Sequence, residues 1–242
     1  MFGPKSDPAR VAGLTWLVVA ILVTVLVHIN VTLPGIGHLG SALVAVLFLY
    51  APVLVARKRG EDLDDYGFHA APVKRGLGTA AVAIAVIFPL FALCYFAFYE
   101  LACNSALLAH LVPRNLCMHY SGLASVHTPA LTRDFGETGL SQLITVALPE
   151  ELFFRGFLLK LLEDKWPPKR RILGGGIGLA LVLSSAAFAL IHVPRYGDPL
   201  ALATFFPALL FGWMRSSTGS ILASTVMHGA SNILISLLNL SL

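Results

Sequence analysis

Three places in this 242-residue chain set ionisable or amide side chains inside long apolar runs: Glu150 and Glu151 with Arg155, then His192, then His228 with Asn232. An ionisable group at mid-bilayer costs several kcal/mol, so such residues face a protein interior and are functional candidates. Glu151 and Arg155 are four apart, about 40° round a helix from each other, the spacing at which a carboxylate and a guanidinium pair. Glu150 lies about 100° from Glu151 and about 140° from Arg155, so its partner must come from another helix. Pro149 has no N–H for the carbonyl of Thr145 and predicts a kink that opens backbone polar groups beside Glu150. Glu150, Glu151 and Arg155 alone would equally make a buried structural ion network.

Ser220, Ser224, His228 and Asn232 recur every four residues and draw one polar stripe on an otherwise apolar helix, which must face inward. His192 stands immediately before Val193-Pro194, where the proline is expected to stop the helix and a histidine commonly caps it. Together Glu150, His192, His228 and Asn232 supply what water-driven amide hydrolysis needs: a carboxylate and an imidazole to activate water, and N–H donors for the oxyanion. A Ser-His mechanism with Ser224 or Ser231 is the runner-up, but no GxSxG is present. One Glu and two His also match the ligand count of a catalytic zinc site, without an HExxH and from three separate helices, so no cofactor is expected and zinc is the alternative. His119 and His127 are loop candidates for a metal. Cys94, Cys103 and Cys117 form no CxxC pair, and Cys94 and Cys103 lie in apolar sequence, so no disulfide framework and no thiol nucleophile is expected.

The elements that must position these groups are membrane spans. With 57% apolar and 12% charged residues and a mean hydropathy of +0.79, the chain cannot clothe a soluble globule of its size, which excludes disordered, collagen-like and most nucleic-acid-binding classes. Seven candidate spans follow: Val11 to Leu33, Leu39 to Ala56, Gly76 to about Leu101, Leu140 to Leu162, Ile172 to His192, Pro199 to Met214 and Gly219 to Leu240. The first follows Lys5 and Arg10 as a signal peptide would, but it is long for one and lacks a good cleavage site. With the N-terminus inside, 12 of the 17 basic residues fall in inner segments and 3 (Arg114, Arg133, Arg195) in outer ones. The stretch from Gly76 to Pro113 carries only Glu100 and would make a helix of roughly 57 Å. One span with a projecting end keeps seven; a hairpin near Glu100 would make eight and invert everything downstream. Arg57 to Arg75 reads as an inner loop with a short surface helix and solvated charges. The whole chain, 1–242, is one all-α membrane domain, with the chemistry in 140–232.

EELFFR (Glu150 to Arg155), FALIH (Phe188 to His192) and HGASN (His228 to Asn232) resemble, in order, the EExxxR, FxxxH and HxxxN motifs of the CAAX protease and bacteriocin-processing family. FPALLFGWMRSSTGSI (Phe206 to Ile221) resembles the helix pair before the last motif in bacterial members, and the match covers roughly Leu140 to Asn232. The resemblance implies an all-helical intramembrane endopeptidase of the bacterial inner membrane that cuts near the C-terminus of its substrates. By it, Glu150 and His192 activate water, His228 and Asn232 stabilise the oxyanion, and Glu151, Arg155 and Phe188 support the site. Substrates would be proteins with a lipidated or transmembrane C-terminal segment: prenylated CAAX proteins in one branch, exported proteins with C-terminal sorting helices in the myxosortase-like branch. The expected sidedness, with His192 near the outer face, points to the second. Outside that resemblance, an inactive immunity or scaffold protein, or a proton-coupled transporter using Glu150 and the histidines, would carry the same polar residues.

Overall fold

The computed structural model describes residues 3, 5–33, 37–105, 114–118, 120–130 and 132–242. Among them run seven helical passes: α1 (Pro8–Leu26), α2 (Leu39–Arg59), α3 (Val73–Asn104), α4, α5 (Leu179–Tyr196), α6 (Phe205–Thr218) and α7 (Leu222–Leu240). Helix α4 is one unbroken rod from Arg133 to Lys165 in which α-helical turns alternate with two π-helical stretches, Gln142–Ala147 and Leu152–Leu158. Two short antiparallel pairs, β1 (Thr32–Leu33) with β2 (Gly37–His38) and β3 (Arg170–Ile172) with β4 (Gly175–Ile177), close the α1–α2 and α4–α5 turns. The molecule is an all-helical membrane protein, and α1, α2 and α3 are each long and apolar enough to cross a bilayer.

Helix α4 forms the axis. Its C-terminal half packs against α1, α2 and α5, its N-terminal half against α7, and α3 lies at the periphery, against α7. From Leu152 to Leu159 every residue of α4 is buried, as befits a helix apolar all round. Phe153 and Phe154 meet Phe48 of α2 with ring centroids 5.2 and 5.6 Å apart, and Phe157 meets Tyr66 at 5.7 Å. By contrast Val82, Val86, Leu90, Leu93 and Phe98 on α3 are exposed, the surface a lipid-facing helix presents.

Several sequence expectations are corrected here. Helix α3 runs unbroken through Glu100 to Asn104, about 48 Å at 1.5 Å per residue, so no hairpin turns near Glu100. Helix α1 stops at Leu26 instead of Leu33, and α5 begins at Leu179, because 170–177 form the β3–β4 hairpin. Proline 194 does not end α5. The helix continues to Tyr196 and stops at Gly197, whose φ of 63° makes a left-handed cap, so His192 sits inside the last turns and is no cap.

Cys103 is not a free apolar thiol: it is disulfide-bonded to Cys117, while Cys94 stays free on exposed α3. Above this staple, Glu100 accepts hydrogen bonds from Tyr120 at 2.5 Å and Asn104 at 2.9 Å.

Not all the inner charges are simply solvated either. Arg59 is buried against Glu61 at 2.8 Å, and Arg215 is buried in the last turn of α6 with Glu163 at 3.3 Å. His119 lies outside the described residues.

Candidate active site

The three polar spots meet around Glu150. Its Oε2 lies 3.8 Å from Nε2 of His192 on α5 and 3.7 Å from Nε2 of His228 on α7. Both separations exceed hydrogen-bond length, and this buried oxygen has no hydrogen-bond partner among the described residues. Both imidazoles come from other helices, α5 and α7.

The rest of the site holds those rings in place. His192 Nδ1 lies 2.7 Å from the carbonyl oxygen of Phe188, one turn back on α5. A carbonyl only accepts, so Nδ1 carries the proton and the lone pair of Nε2 faces Glu150 when the ring is neutral. His228 Nδ1 lies 2.9 Å from Oε1 of Glu151, which likewise makes Nδ1 the donor and turns Nε2 toward Glu150. The same Oε1 is 3.0 Å from Nη1 of Arg155, the pair that the four-residue spacing implied. Glu151 and Arg155 are 0% and 1% exposed, and Arg155 Nη2 reaches the carbonyl of Ala208 on α6 at 3.5 Å.

Aromatic rings complete the enclosure. Phe188, the first residue of the FxxxH pattern, lies 4.5 Å from the His192 ring and 5.8 Å from the His228 ring between centroids, and its face covers the Arg155 guanidinium at 4.1 Å. That contact is a cation–π interaction in a dry setting. Phe211 of α6 stacks on His228 at 5.0 Å and 18° and lies 5.2 Å from the same guanidinium. Phe211 was not singled out from the sequence, since in FPALLFGW it reads as one more apolar core position.

Asn232 lies one turn beyond His228 on α7 and donates from Nδ2 to Oε1 of Gln142 at 3.1 Å. One N–H of its carboxamide is used there and the other remains for a ligand. Gln142 was also missed, although a glutamine two turns before Glu150 in an apolar span was a signal. Ser220, just before α7, bonds the carbonyl of His69, and Ser224 and Ser231 bond the carbonyls of Ile221 and Met227 at 3.0 and 2.8 Å. Neither candidate nucleophile is hydrogen-bonded to an imidazole among the described residues.

Local backbone features explain how the groups come so close. A π turn inserts one residue per turn and is frequent at functional sites, and here π stretches flank the Leu148–Glu151 turn that holds both glutamates. The expected proline kink is thus expressed as two π segments in a continuous rod. Gly229, next to His228, allows α7 onto α4: a Cβ there would stand 2.7 Å from Leu143 Cδ1 and 3.2 Å from its Cα. Below the site, toward the 60–72 loop, a cavity of about 250 Å³ is lined by Phe68, His69, Ala70, Leu148, Ile221, Leu222 and Thr225.

One carboxylate and two imidazoles facing a common point are a donor set that suits zinc, with Glu150, His192 and His228 as the ligands. The described residues contain no group of three or more His, Cys, Asp or Glu drawn close enough to grip an ion as they stand.

No curated protein and no solved structure matches the chain. Residues 137–234 match the family of type II CAAX prenyl endopeptidase Rce1-like proteins. This segment spans the π-segmented part of α4, all of α5 and α6, and α7 as far as Leu234, the elements that carry every site residue described above. Over this segment, less than half of its length, the chain is therefore similar to a family of CAAX prenyl endopeptidases.

Proposed function

We propose that this protein is an intramembrane endopeptidase in which Glu150 and His192 activate a water molecule and His228 and Asn232 stabilise the tetrahedral oxyanion. The observation that carries this reading is the position of Glu150 Oε2, 3.8 and 3.7 Å from two Nε2 atoms whose partner nitrogens are already engaged. A water placed between Glu150 and His192 hydrogen-bonds both, gives up a proton to that pair as its oxygen attacks the peptide carbonyl, and the pair returns the proton to the leaving amine. His228, with Glu151 on its far nitrogen, is built to bear a positive charge on the ring and donate from Nε2 as negative charge grows on the carbonyl oxygen. The second N–H of Asn232 serves the same oxygen. Glu151 and Arg155 act through His228, as positioning residues.

The substrates are membrane-anchored proteins cut near a lipidated or transmembrane C-terminal segment. Such a substrate brings its scissile bond to the depth of Glu150 within the bilayer, where a soluble peptide does not reach.

The test is cleavage of lipid-anchored peptides by purified protein in nanodiscs. Glu150→Gln and His192→Ala should each lower kcat by at least 10³-fold, while Asn232→Ala should cost 10²- to 10³-fold, the range for loss of one oxyanion donor. Each variant should keep the wild-type thermal transition. Full activity in Glu150→Gln would overturn the mechanism. Proton-coupled uptake of a solute by the same protein, with no cleavage, would favour a transporter.

A further inference from the structure

We propose that the β3–β4 hairpin, together with the first turn of α3, binds the headgroup of an anionic phospholipid. This site lies on the surface of the molecule and does not depend on the protease reading.

The tip of the hairpin is built for an apolar surround. Leu173 and Gly174 join Ile172 to Gly175, and both have positive φ, 47° and 85°. A two-residue turn of this kind normally takes Asn, Asp or Gly, because a bulky side chain is disfavoured in the left-handed region. A leucine stands there instead, and at 85% it is the most exposed large apolar side chain among the described residues. Ile172 beside it is 55% exposed. Such a tip gains by leaving water only if something outside the chain covers it.

Contacts with α6 set the level at which that tip stands. The Trp213 Nε1–H donates to the carbonyl of Ile172 at 2.8 Å, and the Gly176 N–H donates to Ser216 Oγ at 2.9 Å. Gly175 lies against the Trp213 ring, where a Cβ would stand 2.2 Å from Cδ1. Trp213 and Ser216 belong to the last two turns of α6, so the hairpin runs beside helix ends. From Trp213 to the end of α6 is about 8 Å at 1.5 Å per residue, and a headgroup layer is roughly 5–8 Å thick on each side of the hydrocarbon core. Tryptophan favours this layer, and Trp166 stands four residues before the hairpin as Trp213 stands against it.

Charge decides which lipid fits. Lys169, Arg170 and Arg171 lie on or beside β3, Lys74 and Arg75 lie in the first turn of α3, and all five are exposed. The Arg171 Nη1–H donates to the carbonyl of Gly174 at 3.2 Å, and a Cβ on Gly174 would stand 3.2 Å from Nη2 of Arg75. Two guanidinium groups from different elements therefore converge on one residue of the turn. The neighbouring carboxylates are engaged elsewhere, Asp164 with Lys160 at 2.7 Å and Glu163 with Arg215 at 3.3 Å. None of the five cations forms an ion pair among the described residues. A net-negative headgroup relieves the repulsion between the two guanidinium groups and offers phosphate oxygens to their N–H forks, while its acyl chains lie against the apolar tip. A zwitterionic headgroup brings its own cation and gives less.

The experiment uses the full chain in an uncharged detergent, with phosphatidylglycerol, phosphatidylcholine and inorganic phosphate as probes and native mass spectrometry to read affinity. Phosphatidylglycerol should bind about tenfold more tightly than phosphatidylcholine, and Arg75→Gln and Arg171→Gln should each weaken it about fivefold, or about 30-fold together. Phosphatidylcholine binding should not change. Arg57→Gln with Lys58→Gln, which removes the same charge at the end of α2, should leave both affinities as they were. Equal affinity for the two lipids, or an equal loss in the α2 control, would overturn the proposal. So would displacement of phosphatidylglycerol by inorganic phosphate at equal concentration, the mark of a free-anion site. The tip is read separately with the charges intact, in nanodiscs of phosphatidylglycerol, from a bimane on Leu173→Cys in a Cys94→Ser background. A nitroxide on the lipid headgroup should quench it; quenching by a water-soluble nitroxide alone would place the tip in solvent and overturn the proposal even if a glutamine variant failed to fold.

Discussion

Glu151 Oε1 receives both the Nδ1–H of His228 at 2.9 Å and the Arg155 guanidinium at 3.0 Å, so one carboxylate oxygen ties the third motif to the first. Burying three charged or chargeable groups together is tolerable only while each has its counterpart, because desolvation would otherwise exceed the Coulomb gain. The aromatic faces of Phe188 and Phe211 shield the cation and keep water from competing for it.

Removing the cation alone should therefore unbalance the site. Arg155→Met leaves Glu151 buried without its cation and is expected to cost about 3–5 kcal/mol of stability. Arg155→Met combined with Glu151→Gln should recover most of that loss, since no uncompensated charge remains, yet should stay inactive because His228 has lost its carboxylate. Thermal unfolding in detergent, read beside cleavage, checks both halves; a double variant no more stable than Arg155→Met would show that the pairing is not what matters.

A second prediction concerns Gln142. Its Oε1 holds one N–H of Asn232 and so aims the other. Gln142→Leu should lower kcat about tenfold, equal to 1.4 kcal/mol of transition-state stabilisation, with KM and thermal stability nearly unchanged. Gln142→Glu keeps the acceptor and should restore most of the rate, an outcome that a purely structural role for Gln142 would not produce.

Much of this was legible from residues alone. The four-residue spacing of Glu151 and Arg155, and the lack of an intrahelical partner for Glu150, follow from helix geometry and the cost of charge in a membrane. Local pattern could not reveal the partner of Cys103, because 14 residues separate it from Cys117 and nothing short-range couples them. It also misplaced the end of α5. A proline in the final turn forfeits one hydrogen bond while the helix runs on to Gly197, so Pro194 was a weaker stop than it looked. Phe211 and the π turns were hidden for a related reason: they serve contacts between helices, and tertiary packing leaves no periodic trace in an all-apolar run. The buried positions of Arg59 and Arg215 were likewise invisible to a count of loop charges.

The loop that packs on the start of α7 should respond to acid. Burial works against ionisation of Glu61, but hydrogen bonds from Arg59 and Tyr66 outweigh it and hold the carboxyl below its usual range. A group whose folded pKa is lowered contributes stability that is present above its unfolded value and is lost as pH falls through the folded one. Hydrogen exchange of 60–72 should accelerate on acidification below about pH 4, the unperturbed carboxylate range. Tyr66→Phe removes one of the two hydrogen bonds and should move that onset to higher pH. An onset unchanged by Tyr66→Phe would mean that another group latches the loop.

Metal dependence can be read from the same three side chains. Glu150, His192 and His228 are the donors that would bind zinc, and they would have to close by several tenths of an ångström from their present 3.7 and 3.8 Å separations to share one ion with Zn–N distances of about 2.0–2.1 Å. In the water-activation mechanism no such closure is needed, because a bridging water sits at hydrogen-bond distance from acceptors held this far apart. Protein purified without metal is therefore expected to retain full activity after prolonged treatment with a strong chelator, and added zinc should inhibit by occupying Glu150 and His192. Metal content measured on the same sample supplies the control. Activity that falls with chelation and returns in proportion to bound zinc, one ion per chain, would replace the glutamate mechanism with a metal-assisted one at the same residues.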